Sequence, residues 1–215
     1  MTSLPSSLYV ICDAGVCERS GWALADFASA CLDGGARLLQ IRAKQASARW
    51  LLDTAVTIVR RAEPAGALVI VNDRADLARL AGAGGVHVGQ EDLTPASVRL
   101  IAGPDAVVGL STHTPEQCEA AIRESVSYIA VGPVFGTITK ATGYDPVGLA
   151  HVRRLAVHAS ARGVPLVAIG GISLERARSV IEAGAQSVAV IADLLATGDP
   201  AKRVEQFLRA LGEAN

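Results

Sequence analysis

Aromatic residues make up only 4% of this 215-residue chain, and three of them are tyrosines. Proteins that bind single-stranded nucleic acid stack the bases on aromatic side chains, so this scarcity argues against that class. The net charge is -1 and the Lys and Arg residues are dispersed, which excludes a basic surface for nucleic acid or anionic lipid. Half of the residues are hydrophobic, yet no apolar run approaches the roughly 20 residues of a membrane-spanning helix.

Cysteine is also scarce, and its spacing fits neither a metal site nor a disulfide framework. The four positions are Cys12, Cys17, Cys31 and Cys118. We expect reduced thiols that are buried as small hydrophobic groups. The first seven residues lack the basic segment of a targeting signal, so the sequence predicts a soluble, cytoplasmic protein and leaves homo-oligomer formation open.

Short apolar runs alternate with helical patterns along the chain. Continuous apolar runs are typical of parallel strands that are covered on both faces. Strands are predicted at 8–11, 38–41, 68–71, 85–88, 106–110, 128–131, 165–169 and 187–191. Helices are predicted at about 21–32, 47–61, 74–80 and 147–159, and others begin at 95, 115, 174 and 200. Three of these starts place Thr or Asp before Pro, and Gln117 is placed to complete a capping box with Thr114.

Eight strand–helix units in about 200 residues predict a (β/α)8 TIM barrel. We expect one domain over residues 1–215, with residues 1–7 as a short N-terminal tail. A doubly wound open sheet is the alternative, because periodicity does not distinguish a closed sheet from an open one. No Gly-x-Gly-x-x-Gly motif follows the first strand, which weighs against that alternative. The chain has few insertions, so a small substrate is expected.

The second predicted strand ends in two cationic residues. Side chains alternate between faces along a strand, so Gln40, Arg42 and Lys44 project one way while Ile41 and Ala43 face the other. This arrangement indicates an anion-binding site at the end of the strand. The alternative is an ordinary strand end that reaches water.

Two carboxylates, Asp73 and Asp92, follow the third and fourth strands. The C-terminal ends of barrel strands meet at one mouth, so these groups are expected to lie close together. Mg²⁺ is commonly held by one or two carboxylates plus phosphate oxygens, which predicts a metal site for a diphosphate. Alternatively, Asp73 caps the helix that follows it and Asp92 lies on a surface loop.

A second phosphate site is predicted after the last two strands. Gly170 and Gly171 follow strand seven, and the main chain of residues 190–192 and the short segment 193–196 lie at the end of strand eight, as in the phosphate sites of many barrels. The alternative is a glycine pair that serves helix packing. The loop 137–140 lies between glycines and offers hydroxyl and ammonium donors for closure over a phosphorylated ligand, with a plain surface loop as its alternative. Two phosphate sites indicate a two-substrate reaction in which pyrophosphate is displaced.

The four histidines suggest no catalytic triad. His87 is expected to pack within its strand, and His113 lies in a loop near a helix start. His151 and His158 fall on one helix and are expected to be solvated.

Six motifs at successive strand ends make the chain resemble the thiamine phosphate synthase family from about residue 8 to residue 211. They are Gln40-Ile41-Arg42-Ala43-Lys44, Val71-Asn72-Asp73, His87-Val88-Gly89-Gln90-Glu91-Asp92, Ser111-Thr112-His113-Thr114, the segment 132–140, and Ile169-Gly170-Gly171-Ile172. The resemblance implies a transferase that joins hydroxymethylpyrimidine diphosphate to hydroxyethylthiazole phosphate, through departure of pyrophosphate before bond formation. No partner other than these small molecules is implied.

The resemblance also implies a set of site residues. Mg²⁺ is expected on Asp73 and Asp92, and the catalytic residues are expected to be Arg42, Lys44, Ser111 and Lys140. Substrate contacts are expected from Gln40, Ile41, Arg42, Ala43, Lys44, Asn72, Ser111, Thr137, Ile138, Thr139, Lys140, Gly170, Gly171, Ile191 and Ala192. The chain departs from the family pattern at Ala43, at Ala192 and in the segment 141–145.

Other functions remain open at this stage. A thiazole tautomerase of the same superfamily lacks the metal carboxylates and has His where this chain has Pro133. A phosphosugar isomerase or indole-pathway barrel would share only the last phosphate site. A non-catalytic sensor of thiamine precursors would bind the same ligands without consuming them.

Overall fold

The computed structural model, which describes residues 4–136 and 143–213, is a closed barrel of eight parallel strands. The strands are β1 (Leu8–Asp13), β2 (Leu38–Arg42), β3 (Leu68–Asn72), β4 (Gly85–Val88), β5 (Val107–Thr112), β6 (Tyr128–Val131), β7 (Leu166–Ile169) and β8 (Ser187–Val190). Each strand pairs with the next, and β1 pairs with β8. This pairing confirms the predicted barrel and excludes the open sheet.

Helices surround the barrel in the order expected for strand–helix units. They are α1 (Ala14–Arg19), α2 (Leu24–Asp33), α3 (Ala48–Ala62), α4 (Ala75–Ala81), α5 (Pro95–Ala102), α6 (Pro115–Ala121), α7 (Gly148–Ala161), α8 (Leu174–Glu182) and α9 (Pro200–Ala210). Short 3-10 helices occupy Glu63–Ala65 and Ala192–Leu195. None of the helices within the described ranges has the length and apolarity to cross a membrane.

Helix α1 was not predicted from the sequence. It has six residues and begins directly after β1, where Asp13 accepts a hydrogen bond from the backbone N–H of Val16 at 3.0 Å. Such a short helix carries almost no periodic signal, and its stability depends on this cap and on the packing of Val16 and Cys17.

The predicted proline-associated helix starts are confirmed. Side chains of Thr94, Thr114 and Asp199 accept backbone hydrogen bonds in the first turns of α5, α6 and α9. The capping box of α6 differs in one detail, because Gln117 Oε1 accepts from the N–H of His113, one residue before the expected position.

Two groups of buried side chains lie on opposite faces of the strands. The larger group fills the space between the sheet and the helices. The smaller group fills the barrel interior and includes Tyr9, Ile11, Leu38, Ile70 and Tyr128. Its members stand at alternate positions along each strand, as the two-residue period of a strand requires.

Tyr128 occupies space that Gly109 leaves open. The two residues are directly paired across β5 and β6, and a Cβ atom on Gly109 would lie 2.0 Å from Cζ of the tyrosine ring. The ring is fully buried. The glycine is therefore required by the close approach of this side chain.

The end of the barrel opposite the strands' C-termini is closed by the N-terminal segment. Ser6 Oγ donates to Glu213 at 2.7 Å, and Ser187 Oγ donates to the carbonyl of Ser6 at 2.5 Å. These bonds attach the described part of the N-terminal tail to the body of the barrel.

The four cysteines are free and buried, as predicted, and burial raises the pKa of Cys17 to about 12.

His158 is exposed as expected, but the prediction that His151 is solvated is wrong. His151 is 8% exposed, because it lies on the inner face of α7. Burial lowers its pKa, and the Arg154 guanidinium adds to this effect.

Replacing Gly109 with Ala should destabilise the fold by about 2 to 3 kcal/mol, because the added methyl group forces a buried ring and strand apart. The free energy of unfolding from urea denaturation measures this effect. Gly15→Ala is the matched control: it lies in α1, its added Cβ would have no neighbour closer than 3.4 Å, and no loss of stability is expected. Equal stability of the two variants would contradict the packing argument.

Candidate active site

The predicted anion-binding residues of β2 lie on the inner side of the barrel. Gln40 is buried beside the interior cluster, and Arg42 and Lys44 continue toward the C-terminal mouth. Ile41 belongs instead to the outer core, and Ala43 packs against it. The predicted alternation holds along β2 as far as Arg42, whereas Lys44 lies in the turn after the strand and is brought to the mouth by its ion pair with Asp73.

Arg42 is held by an acidic residue that sequence reasoning missed. Its Nη1 donates to Asp13 Oδ2, and the two residues are directly paired across β1 and β2. Asp13 also caps α1, so its carboxylate is fixed from two sides. The signal that could have found it was its position, since it is the last residue of a strand whose neighbours also end in polar residues.

Asp73 and Asp92 are brought together as predicted. The two carboxyl groups lie near enough to influence each other electrostatically, and Nζ of Lys44 lies 3.3 Å from Oδ2 of Asp73. The alternative role of Asp73 as a helix cap is excluded, because α4 has Arg74 at its N-cap without any side-chain cap. Among the described residues, Asp73 alone combines a side chain with a positive φ, of 63°. Its left-handed backbone turns the side chain toward Lys44 and Asp92 at an energetic cost.

The surroundings of Asp73 make its ionised carboxylate less favourable when no cation is bound. Burial raises its pKa, the nearby carboxylate of Asp92 raises it further, and Lys44 offsets part of the rise. A divalent cation would relieve this repulsion, so the two residues fit a metal site. No group of three or more His, Cys, Asp or Glu residues in the described ranges is arranged around a common metal position. Further ligands would therefore have to come from a substrate or from water.

Asp92 is placed by a tight loop after β4. Its Oδ2 accepts from the N–H of Gly89 at 2.7 Å, which fixes the carboxylate above the strand end. Asn72 ends β3 and is directly paired with His87 of β4. Both predicted residues therefore stand at the C-terminal mouth.

A cavity of about 370 Å³ lies over the other half of the mouth. Residues near the C-terminal ends of β5 to β8 and in the segments that follow these strands line it: Ser111, Thr112, His113, Ala130, Gly132, Pro133, Ile169, Gly170, Gly171, Ile172, Ser173, Ala189, Ile191, Ala192, Asp193 and Ala196. Of the positions predicted for the second phosphate site, Gly170, Gly171, Ile191 and Ala192 line the cavity, as do Asp193 and Ala196, whereas Val190 does not. The lining is largely apolar, with polar groups at its edges.

Gly170 and Gly171 allow two loops to pack closely. Both have positive φ, and a Cβ on Gly171 would lie 2.5 Å from the carbonyl oxygen of Gly136. The carbonyl of Gly170 also accepts from the N–H of Phe135 at 3.0 Å. The glycine pair thus joins the loop after β6 to the loop after β7 beside the cavity.

Asp193 is the acidic residue in the cavity lining. Its carboxylate accepts two hydrogen bonds from Arg203, at 3.0 and 2.7 Å, and one from the N–H of Leu174 at 3.3 Å. These donors compensate its charge, so it does not make the cavity repel anions.

Ser111 stands between the two halves of the mouth. Its Oγ lies 2.8 Å from Nε2 of His87, and its carbonyl accepts from Nε2 of Gln90 at 2.6 Å. His87 is packed in its strand as expected, but it also contacts the Ser111 hydroxyl, which the sequence alone did not reveal.

His113 stacks on Tyr144 with ring centroids 4.3 Å apart. The predicted residues Thr137, Ile138, Thr139 and Lys140 lie outside the described part of the chain.

The family profile and the curated relatives identify one family. The family profile described as thiamine monophosphate synthase matches residues 8–194. The thiamine-phosphate synthase of Koribacter versatilis is 49% identical over 206 residues, which cover 95% of each chain. That of Shouchella clausii is 40% identical and covers 86% of this chain and 87% of its own. The solved thiamine phosphate pyrophosphorylase of Pyrococcus furiosus superposes with a TM-score of 0.85 at 30% identity, and 96% of each chain is covered.

Replacing Asp73 with Asn should stabilise the metal-free protein at neutral pH. Folding raises the pKa of Asp73, so the ionised carboxylate costs stability, and this cost disappears as the pH falls below the ordinary value of 3.8. The gain, measured by chemical denaturation with chelator present, should appear as the pH rises above about 4 and should level off once the carboxyl group is ionised in the folded protein.

Asp76→Asn is a control of opposite sign. The pKa of Asp76 is lowered by its hydrogen bond with Arg74, so its ionised form favours the folded state. This variant should lose stability over the same pH range. A loss in Asp73→Asn as well would refute the repulsion argument.

Proposed function

The chain belongs to the thiamine monophosphate synthase family, and we propose that its mouth joins hydroxymethylpyrimidine diphosphate to hydroxyethylthiazole phosphate with Mg²⁺. The protein is a transferase that forms thiamine phosphate. The names of its relatives state the same activity. The observation that carries the detailed proposal is the division of one mouth into a charged half and a largely apolar cavity. A phosphorylated leaving group fits the first half, and a phosphorylated heterocycle fits the second.

The charged half suits the diphosphate. Arg42 is oriented by Asp13, and Lys44 stands beside Asp73, so two cations face the place where negative charge develops when pyrophosphate leaves. Gln40 and Asn72 stand on neighbouring strands and would contact the pyrimidine end. Ser111 would contact the ring from across the barrel.

Asp73 and Asp92 would hold Mg²⁺ together with diphosphate oxygens. The bound ion would neutralise charge on the diphosphate and so favour its departure. The apposed carboxylates and the raised pKa of Asp73 support this assignment. The scarcity of other acidic ligands among the described residues fits an ion that is bound together with its substrate.

The reaction would proceed by breaking the bond between the pyrimidine methylene carbon and the diphosphate oxygen. The electron pair leaves with pyrophosphate, and the remaining cation is stabilised by the aminopyrimidine ring. The thiazole nitrogen then forms the new bond with its lone pair. This nitrogen carries no hydrogen, so no general base is needed, and the role of the protein is to bind and orient both molecules.

The thiazole phosphate would lie in the cavity over β5 to β8. The backbone near Gly171, Ile191 and Ala192 borders it and would contact the phosphate. Ala192 offers no hydroxyl group, so only main-chain donors are available at that position. Roles for Thr137, Ile138, Thr139 and Lys140 remain predictions from the resemblance. A cytoplasmic location is likewise proposed, and small molecules are the partners that this site implies.

The first test is release of pyrophosphate by the purified protein. Release should require both precursors and Mg²⁺, and omission of any one of them should abolish it.

Asp92→Ala should lose Mg²⁺-dependent turnover and keep its circular dichroism spectrum. Turnover near the wild-type rate by this variant at low Mg²⁺ would refute the metal assignment, and a wild-type protein that binds but does not react would refute the catalytic role.

Replacing Arg42 with Ala should lower kcat/KM for the pyrimidine diphosphate by about 100-fold, since a charge-assisted contact to the leaving group is lost. Affinity for the thiazole phosphate, measured by calorimetry, should change by less than about threefold. Arg61→Ala is the control. Arg61 of α3 pairs with Asp33 of α2 on the exposed surface of the helices, so its loss should change neither substrate's binding. Equal losses for the two substrates would count against the assigned half of the mouth.

A further inference from the structure

Four hydrogen bonds form a continuous chain across the barrel interior. Gln40 Nε2 donates to the Tyr9 hydroxyl at 2.8 Å, and the hydroxyls of Tyr9 and Tyr128 lie 2.8 Å apart. The Tyr128 hydroxyl lies 2.9 Å from Nδ1 of His87, whose Nε2 lies 2.8 Å from Ser111 Oγ. The chain connects two residues that are assigned to substrate binding and that stand on different strands of the mouth.

The chain is buried and tightly packed along its length. Tyr9 is 1% exposed, Tyr128 is fully buried, and Gln40 and His87 are 4% and 7% exposed. The tyrosine rings meet edge to face with centroids 5.9 Å apart, and His87 stacks on Tyr128 at 5.6 Å. Buried polar groups are costly unless they are hydrogen-bonded, so each group here depends on its neighbours in the chain.

The direction of the hydrogen bonds follows from the groups themselves. The amide nitrogen of Gln40 only donates, so the hydroxyl hydrogen of Tyr9 is directed to the oxygen of Tyr128. Tyr128 then donates to Nδ1 of His87. A neutral imidazole that accepts at Nδ1 carries its hydrogen on Nε2, which donates to Ser111 Oγ.

This direction fixes what the two ends offer to a ligand. The side-chain nitrogen of Gln40 donates inward to the Tyr9 hydroxyl, so its side-chain carbonyl oxygen is left to accept a hydrogen bond from a ligand. Ser111 receives a hydrogen bond from His87, which leaves its own hydroxyl hydrogen to donate to a ligand at the boundary between the charged half of the mouth and the cavity. Reversal at one end would require reversal of every bond in between.

We propose that Tyr9, Tyr128 and His87 are positioning residues that couple Gln40 to Ser111 and thereby set the hydrogen-bonding polarity of the pyrimidine site. The inference rests on the proposed function for the identity of the ligand. An aminopyrimidine presents an amino group, which donates, and a ring nitrogen across the ring from it, which accepts. Gln40 accepts from the amino group, and Ser111 donates to the ring nitrogen.

The polarity is tested without any turnover by ¹⁵N NMR of the histidine rings. His87, assigned by comparison with His87→Gln, should show its hydrogen on Nε2 and an unprotonated Nδ1 in the wild-type protein. In Tyr128→Phe this preference should weaken, because Nδ1 loses its donor. A hydrogen on Nδ1 of the wild-type ring, or on both nitrogens, would overturn the proposed direction.

The coupling is tested by the kinetics of Tyr128→Phe. KM for the pyrimidine diphosphate should rise about tenfold, as expected for loss of an oriented hydrogen bond, while KM for the thiazole phosphate stays within about twofold. Tyr9→Phe should give the same pattern if the first variant does not fold. The double variant should show no larger rise than the worse single variant, because the chain is already broken.

Ser187→Ala provides the matched control. It also removes a buried hydroxyl hydrogen bond, at the closed end of the barrel, and should lower stability without changing either KM. Equal rises of both KM values in Tyr128→Phe, or none, would overturn the coupling. Absence of turnover in the wild-type protein would instead refute the proposed function and leave the NMR result to decide the polarity.

Discussion

The pairing of β1 with β8 is the constraint on which the site depends. It closes the sheet through the register of residues 8–10 with 188–190. In an open sheet, Arg42 on the second strand and Ile191 after the last would lie near opposite edges. Closure of a parallel sheet brings all the C-terminal strand ends to one mouth, so residues separated by 149 positions can lie beside the same ligands.

Electrostatic strain is concentrated on one side of this mouth. Asp73 combines a left-handed backbone with a partly buried carboxylate next to Asp92, and each feature costs stability by itself. Lys44 compensates only part of the charge. Asp13, by contrast, stabilises Arg42 and is itself fixed by the start of α1. Arg42 is thus preorganised, whereas the negative charge of Asp73 and Asp92 is only partly compensated.

The sequence predicted those features that depend on local pattern. Strands covered on both faces leave short apolar runs, and the Thr-Pro and Asp-Pro pairs mark helix starts through contacts within one turn. The mouth residues of β2, β3 and β4 were predictable because barrel topology assigns a place to each strand end.

Features that depend on distant contacts could not be predicted in this way. Asp13 acquires its role only through pairing with Arg42, 29 residues later in the chain. His151 is buried by packing that its helical pattern does not specify. Tyr9 stands in an apolar run that predicts an ordinary core residue, and only the closed barrel brings its hydroxyl to Tyr128, 119 residues away.

The use of tyrosine in the barrel interior follows from the same closure. Two of the three tyrosines of this aromatic-poor chain meet there, where an apolar side chain would fill the space without a desolvation cost. Gly109 has no side chain, which leaves room for the ring of Tyr128. A polar group in such a place is stable only if its neighbours satisfy it, and the continuous series of bonds meets that condition. With the bonds in the proposed direction, the interior of the barrel holds Gln40 and Ser111 in a fixed relation of acceptor and donor.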